Sequence, residues 1–472
     1  TETACGLCLC QLYSFNVSTK NIYRVSILKK LQIMIIAKIL MVFFACVEKM
    51  QLPESLNDNN EFMAGDTTYL LIHPIWDEDM GLQFPVEISI AQDGHVFVAD
   101  TGSNSIFVFS QDGEALTDFD DLQQMAINPI DVDIDQKMNV YFIDGSQRIY
   151  IWNYYINTIG IEEIAVSGSF YNEGAGSITI DAFSEDWFQY LSDEDWILDY
   201  VNWGSPQSII DSLLTPHVFY DGALAVHSFN DIYYESESST FSGVSATRDE
   251  NNYIYALDYN HDRIIRVDMQ RTHFLKLTNG EKIWTHRGVF KSSVSESGTG
   301  AGTVNQPLGV DVDYNGNIYY AQTGDFFSVH KIRPVTSGTY TTYPSVFQSE
   351  TSDIMELFRF SNPADVAVDN NQFVYVANSS AQEIQVFDAN GQFFRKAGIE
   401  TSTIDTTLQV VQGTDTVAVD TFLTIEKKGF LVEPQAITVD SRGIIYICDT
   451  ETSRILRYRL SNQLDEDLEP LP

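Results

Sequence analysis

The stretch that decides the fold runs from Pro85 to Phe109 and reads PVEISIAQDGHVFVADTGSNSIFVF. Val86, Ile88 and Ile90 alternate with polar residues up to the turn Gln92-Asp93-Gly94, and Val96 and Val98 follow it. Ile106 and Val108 come after a second turn, Thr101-Gly102-Ser103-Asn104. Period-two alternation broken by Asp-Gly and Gly-Ser-Asn predicts short antiparallel strands joined by tight turns.

The pattern returns five more times, as NPIDVDIDQKMNVYFIDGSQRIYIW from Asn128 and again from Ser242, Gln306, Asn362 and Glu433. The copies are anchored on Pro85, Pro129, Gly243, Pro307, Pro363 and Pro434. A repeated unit that cannot bury both of its own faces predicts a solenoid or a propeller, and meanders of about four strands favour the propeller.

These residues resemble the NHL-repeat family, in which a proline leads through a first strand and an Asp-Gly turn to a second strand that ends in Asp. Here that Asp is Asp100, Asp144, Asp258 and Asp449, with Gln322 and Asn378 departing from it. The Arg that opens the family's third strand is matched by Arg148, Arg263 and Arg454. The resemblance covers roughly residues 67–461. It implies an all-β, six-bladed β-propeller, a scaffold that carries enzymes, receptors and docking platforms alike.

Outside the repeats the chain divides by composition. Residues 1–33 read as sequence upstream of the true start or as a leader, and 34–46 as a signal and lipobox segment. Lys29-Lys30 precede the apolar run LQIMIIAKILMVFFAC, which is too short and too interrupted by Gln32 and Lys38 for a spanning helix. Ala45 before Cys46 resembles the bacterial lipoprotein box, which implies lipidation of Cys46. Residues 47–66 are a polar linker, 67–461 the propeller and 462–472 an acidic tail. The expectation is an exported protein, either a cell-envelope lipoprotein or extracellular, meeting the membrane only through that lipid. Cys448 is the one cysteine of the body, so a core and not a disulfide framework holds the fold.

The last repeat shows three strands. Tyr69–Ile72 is expected to supply its fourth, pairing the two ends of the chain in one blade. The longest gap between repeats holds an insertion, residues 165–240, acidic and aromatic, in which Trp196, Tyr200 and Trp203 lie at helical spacing. A partly helical cap is expected there. Trp187, Trp196, Tyr200 and Trp203 are candidate binding residues, suited to stacking on sugar rings or anchoring a protein partner, and equally suited to forming the cap's own core.

Acidic residues outnumber basic ones 66 to 27, for a net charge of −39. Such a surface disfavours nucleic acid and anionic lipid and is explained by solubility. The residue two after each anchor should face the central channel: Glu87, Asp131, Ser245, Gly309, Asp365 and Ala436. Glu87, Asp131 and Asp365 can hold a hard cation such as Ca²⁺ through oxygen, or line a hydrated channel mouth without one. None of the six positions is His, whereas the amidating lyases that resemble NHL propellers hold zinc with channel histidines. The sequence has no Gly-x-Ser-x-Gly, Walker or His-Glu-x-x-His motif. The expected function is therefore a binding or interaction module for a protein or glycan, with a metal-dependent hydrolase or lyase of the channel (lactonase-like or amidating-lyase-like) as the alternative.

Overall fold

The computed structural model describes residues 68–461 apart from 118, 159–164, 173–175, 182–212, 224–225, 230–231, 236, 250–252, 296, 337, 399, 413–414 and 428–429. Six antiparallel sheets form a closed ring, and each runs outward from a strand that opens within two residues of a repeat anchor. Blade 1 holds Pro85–Ile90, Val96–Asp100 and Ser105–Phe109, with a single bridge from Phe109 to Ala115 in place of a full outer strand. Blade 2 holds Asp131–Ile134, Asn139–Ile143, Arg148–Asn153 and His217–Asp221, and blade 3 Phe241–Ala246, Tyr253–Asp258, Arg263–Leu277 and Lys282–Ser295. Blade 4 holds Pro307–Val312, Ile318–Gln322, Val329–Thr336 and Thr339–Ser345. Blade 5 holds Pro363–Val368, Val374–Asn378, Glu383–Phe387 and Phe393–Ala397.

Blade 6 is built from both ends of the propeller. Pro434–Val439, Ile444–Asp449 and Arg454–Ser461 are joined by Thr68–Trp76, which pairs Tyr69 with Leu460, Leu71 with Tyr458 and Trp76 with Ile455. The strand expected to close the ring does close it. Trp76 is fully buried against Phe109 of blade 1 and Tyr446 of blade 6, at ring-centroid distances of 5.1 and 5.9 Å.

The core is divided among the blade interfaces. One apolar cluster fills each gap between neighbours, as where Val132 and Trp152 of blade 2 meet Phe97 and Ile106 of blade 1. A sheet whose two faces are both covered reads as a near-continuous apolar run, which is why the second strands, such as Val96–Asp100, are buried throughout.

The repeat's recurring aspartate has a local job. The Asp100 carboxylate accepts the main-chain N–H groups of Gln83, Phe84 and Ser103, so one side chain fixes both the entry to blade 1 and the turn after its second strand. Asp449 does the same for Val432 and Glu433. The two departures preserve the function: Asn378 accepts from Ser361 and Asn362, and Gln322 from Asn305. The Asp-centred turns between first and second strands are likewise explained, since Asp313 accepts from the N–H of Asn315 and Asn317.

The described parts of 165–240 are largely stranded. Ala165–Asn172 pairs with Gly176–Asp181 and lies alongside the far end of Arg263–Leu277. Val226–Phe229 and Ile232–Glu235 form a second hairpin. His217–Asp221 pairs with Arg148–Asn153, so the outer strand of blade 2 lies inside the stretch expected to be an insertion. Trp187, Trp196, Tyr200 and Trp203 lie outside the described residues, as do Cys46 and the whole of 1–67.

Candidate functional site at the propeller axis

Alternation along each inner strand sends every second residue toward the axis. The position two after each anchor supplies Glu87, Asp131, Ser245, Gly309, Asp365 and Ala436, and the position four after it Ser89, Asp133, Thr247, Asp311, Ala367 and Thr438. Glu87, Asp131, Asp133, Asp311 and Asp365 line one small axial cavity of about 30 Å³, together with Arg248. Sequence reading reached the first position and missed the second. Applying the same alternation one step further would have found Asp133 and Asp311.

Four of the five acids are tied to neighbouring blades, while Glu87 accepts only the N–H of Ile88 on its own strand. Asp131 accepts the N–H of Val244 at 3.0 Å, and Asp365 the N–H of Ile437 at 2.9 Å. Asp133 accepts from the N–H of Ala246 at 2.8 Å and from the Ser89 hydroxyl at 2.6 Å, linking blades 1, 2 and 3. Asp311 accepts the N–H of Val368 at 2.7 Å and holds Arg248 through both oxygens, at 2.7 and 2.9 Å. Blade 6 returns to blade 1 through the Thr450 hydroxyl, which donates to the Pro85 carbonyl at 2.6 Å. Inner strands present unpaired N–H groups to the axis, and the carboxylates satisfy them.

Five carboxyl groups share this space with a single guanidinium. Burial, reinforced by Asp365 and Asp131, pushes Glu87 well above the usual carboxylate range, and burial does the same for Asp131. Asp365 is raised to about 7 by burial, against the opposing hydrogen bond from Ile437. Asp311 is raised to about 6 by burial, with Arg248 holding it down. The Cys448 thiol, also buried, is pushed well above its ordinary value. Desolvation outweighs the hydrogen bonds at all four of these carboxyl groups.

The structure brings Glu87, Asp131 and Asp365 together at the axis and gives Asp131 and Asp365 main-chain partners in the next blade. Among the described residues no group of three or more His, Cys, Asp or Glu is placed to hold a metal ion. His330, one of the eight histidines, is fully buried in blade 4, where it accepts from the N–H of Gly302. Burial lowers it to about 4.

Above the axial acids, on the face where first and second strands are joined, the channel opens into a pocket of about 370 Å³. Its lining is largely polar and includes Gln92, Gln111, Gln136, Asn370 and Ser441. Tyr314 adds a half-exposed ring, and Arg248, locked on Asp311, reaches the pocket's inner end. Asp369 and Asp440 stand at the wall with their turns' N–H groups bonded to them. The pocket therefore offers amides, hydroxyls and acceptor oxygens around one aromatic face.

Comparison with known proteins agrees with the fold. The NHL repeat matches residues 82–109 and 360–387. A search of curated proteins gives no match. Solved structures with a similar fold include virginiamycin B lyase from Staphylococcus aureus, 10% identical over 84% of this chain and 100% of that one, with a TM-score of 0.40. A gluconolactonase from Xanthomonas campestris is 11% identical over 84% and 91%, at 0.43. An auxiliary nutrient binding protein from Bacteroides thetaiotaomicron is 10% identical over 80% and 69%, at 0.42. At these TM-scores the likeness carries no argument about this chain. No helix among the described residues is long and apolar enough to cross a membrane. With the repeat matched in two blades and six blades closed around an axis, the chain is a six-bladed β-propeller that carries NHL repeats in blades 1 and 5.

Proposed function

We propose that the protein is a binding module that takes an uncharged, polyhydroxylated ligand, a glycan, in the polar mouth of the channel. The lining of that mouth is the observation that supports this reading. Planar amides and carboxylate oxygens match the donors and acceptors of sugar hydroxyls, and the Tyr314 ring gives a sugar face something to stack on. The channel's cation is already held by Asp311, and the remaining charge is negative, which disfavours an anionic ligand. Asp131, Asp133, Asp311 and Asp365 below serve as ties between blades, which supports binding over channel catalysis.

On sequence grounds, Trp187, Trp196, Tyr200 and Trp203 are assigned to ring stacking with the same class of ligand, and the segment ending at Cys46 to export and lipid attachment. A glycan array followed by titration of the positive saccharide tests the reading. Tyr314→Ala and Gln111→Ala are expected to weaken binding about tenfold each, on the order of one lost stacking or hydrogen-bonding contact. Unchanged affinity in both variants overturns the assignment.

A further inference from the structure

A second and larger pocket, of about 670 Å³, lies away from the axis, between blade 2 and the long outer hairpin of blade 3. Its size is that of a small-molecule site. Trp152, Ile151, Met269 and Trp284 give it apolar and aromatic walls, and Lys137 and Arg271 stand at its rim with Glu281 as the one acid. In a chain where acids outnumber Lys and Arg 66 to 27, this local excess of positive charge runs against the composition.

The positive groups are gathered around one space. The Arg271 guanidinium lies over the Trp284 ring, 5.1 Å from its centroid, which sets a cation directly above an aromatic wall. His286 and His217 also line the pocket. Burial holds both imidazoles down at about 4, and Arg271 and Lys137 depress His286 further. Both rings are therefore neutral at pH 7, and the basic groups of the lining are Lys137 and Arg271.

We propose that this pocket binds a small organic anion with a flat apolar body, its anionic group between Lys137 and Arg271 and its ring against Trp284. A neutral sugar would leave the indole and aliphatic walls unmatched, and an organic cation would meet two like charges. The site is independent of the axial mouth and of the glycan reading.

Isothermal titration of the full chain with 2-naphthoate, and with 2-naphthyltrimethylammonium as its cationic counterpart, tests this. The naphthoate is expected to fill one site per chain at least tenfold more tightly than the cation. Because both rim residues are exposed, Arg271→Gln combined with Lys137→Gln should weaken the naphthoate tenfold or more at an unchanged melting temperature. Tyr314→Ala should leave it unaffected. Absence of saturable binding, equal affinity for the two probes, undiminished binding in the double variant, or loss of binding in Tyr314→Ala would each overturn the proposal.

Discussion

The Asp365 carboxylate of blade 5 accepts the main-chain N–H of Ile437 in blade 6 at 2.9 Å, while its own titration is raised to about 7 by burial. A group whose folded pKa lies above its unfolded value, about 3.9 for Asp, contributes stability that is full below the lower value and lost as pH rises through the higher one. Asp365→Asn retains an acceptor oxygen and cannot ionise. Thermal melts from pH 4.5 to 8 should show the variant close to the wild-type midpoint at the acid end and above it at the alkaline end. A difference independent of pH would contradict this.

Asp365→Ala removes the acceptor as well. The Ile437 N–H, buried at the axis, then has no partner from blade 5, at a cost of roughly 1–3 kcal/mol. Chemical denaturation at pH 5 should show a loss in that range, larger than for Asp365→Asn.

Gly309 occupies an axial position where its neighbours in the ring carry side chains. A Cβ there would overlap both the carboxylate and the Cα of Asp365 and press on the Ala364 carbonyl. Gly309→Ala should therefore destabilise by about 1–3 kcal/mol through overpacking, and the loss should shrink when Asp365→Ala is added. Additive effects in this double-mutant cycle would show that the Asp365 carboxylate takes no part in the crowding.

Ring closure rests on Trp76, which is buried between Phe109 and Tyr446 with the Arg457 guanidinium 4.8 Å from its ring. Trp76→Ala should cost roughly 3–5 kcal/mol, as expected for a buried large aromatic. Hydrogen exchange should then quicken first in Arg454–Ser461, the strand paired with Thr68–Trp76. Faster exchange confined to another blade would contradict this view of closure.

Residues 165–240 cannot be excised as a unit. His217–Asp221 is the outer strand of blade 2, and Phe219 packs in the same cluster as Ile149 and Ile151. A variant lacking 165–240 should lose its cooperative melt. Retention of the wild-type transition would show that blade 2 stands on three strands.

Much of this architecture was legible because the repeat carries its own punctuation. Pro85, the Asp93-Gly94 turn and Asp100 recur with their spacing, and a blade needs that chemistry to enter, turn and fasten. The strand at Tyr69 was legible because the last repeat lacked a partner for Arg454–Ser461. His217–Asp221 was not, since more than sixty residues separate it from Arg148–Asn153 and five residues carry too weak a period. At the axis, Glu87, Asp131 and Asp365 were found by counting from the anchors. Their bonds to the next blade were not, because those depend on how neighbouring strands stagger. Arg248 follows an inner strand, outside the alternation, and only the fold brings it onto Asp311.

The most direct test of the central claim is hydroxyl-radical footprinting of the protein with and without the saccharide identified on the array. Strong protection of Tyr314 is expected, with Tyr155 and Trp284 at the lateral pocket unchanged. Unaltered labelling of Tyr314, with protection appearing elsewhere, would contradict the axial mouth as the ligand site.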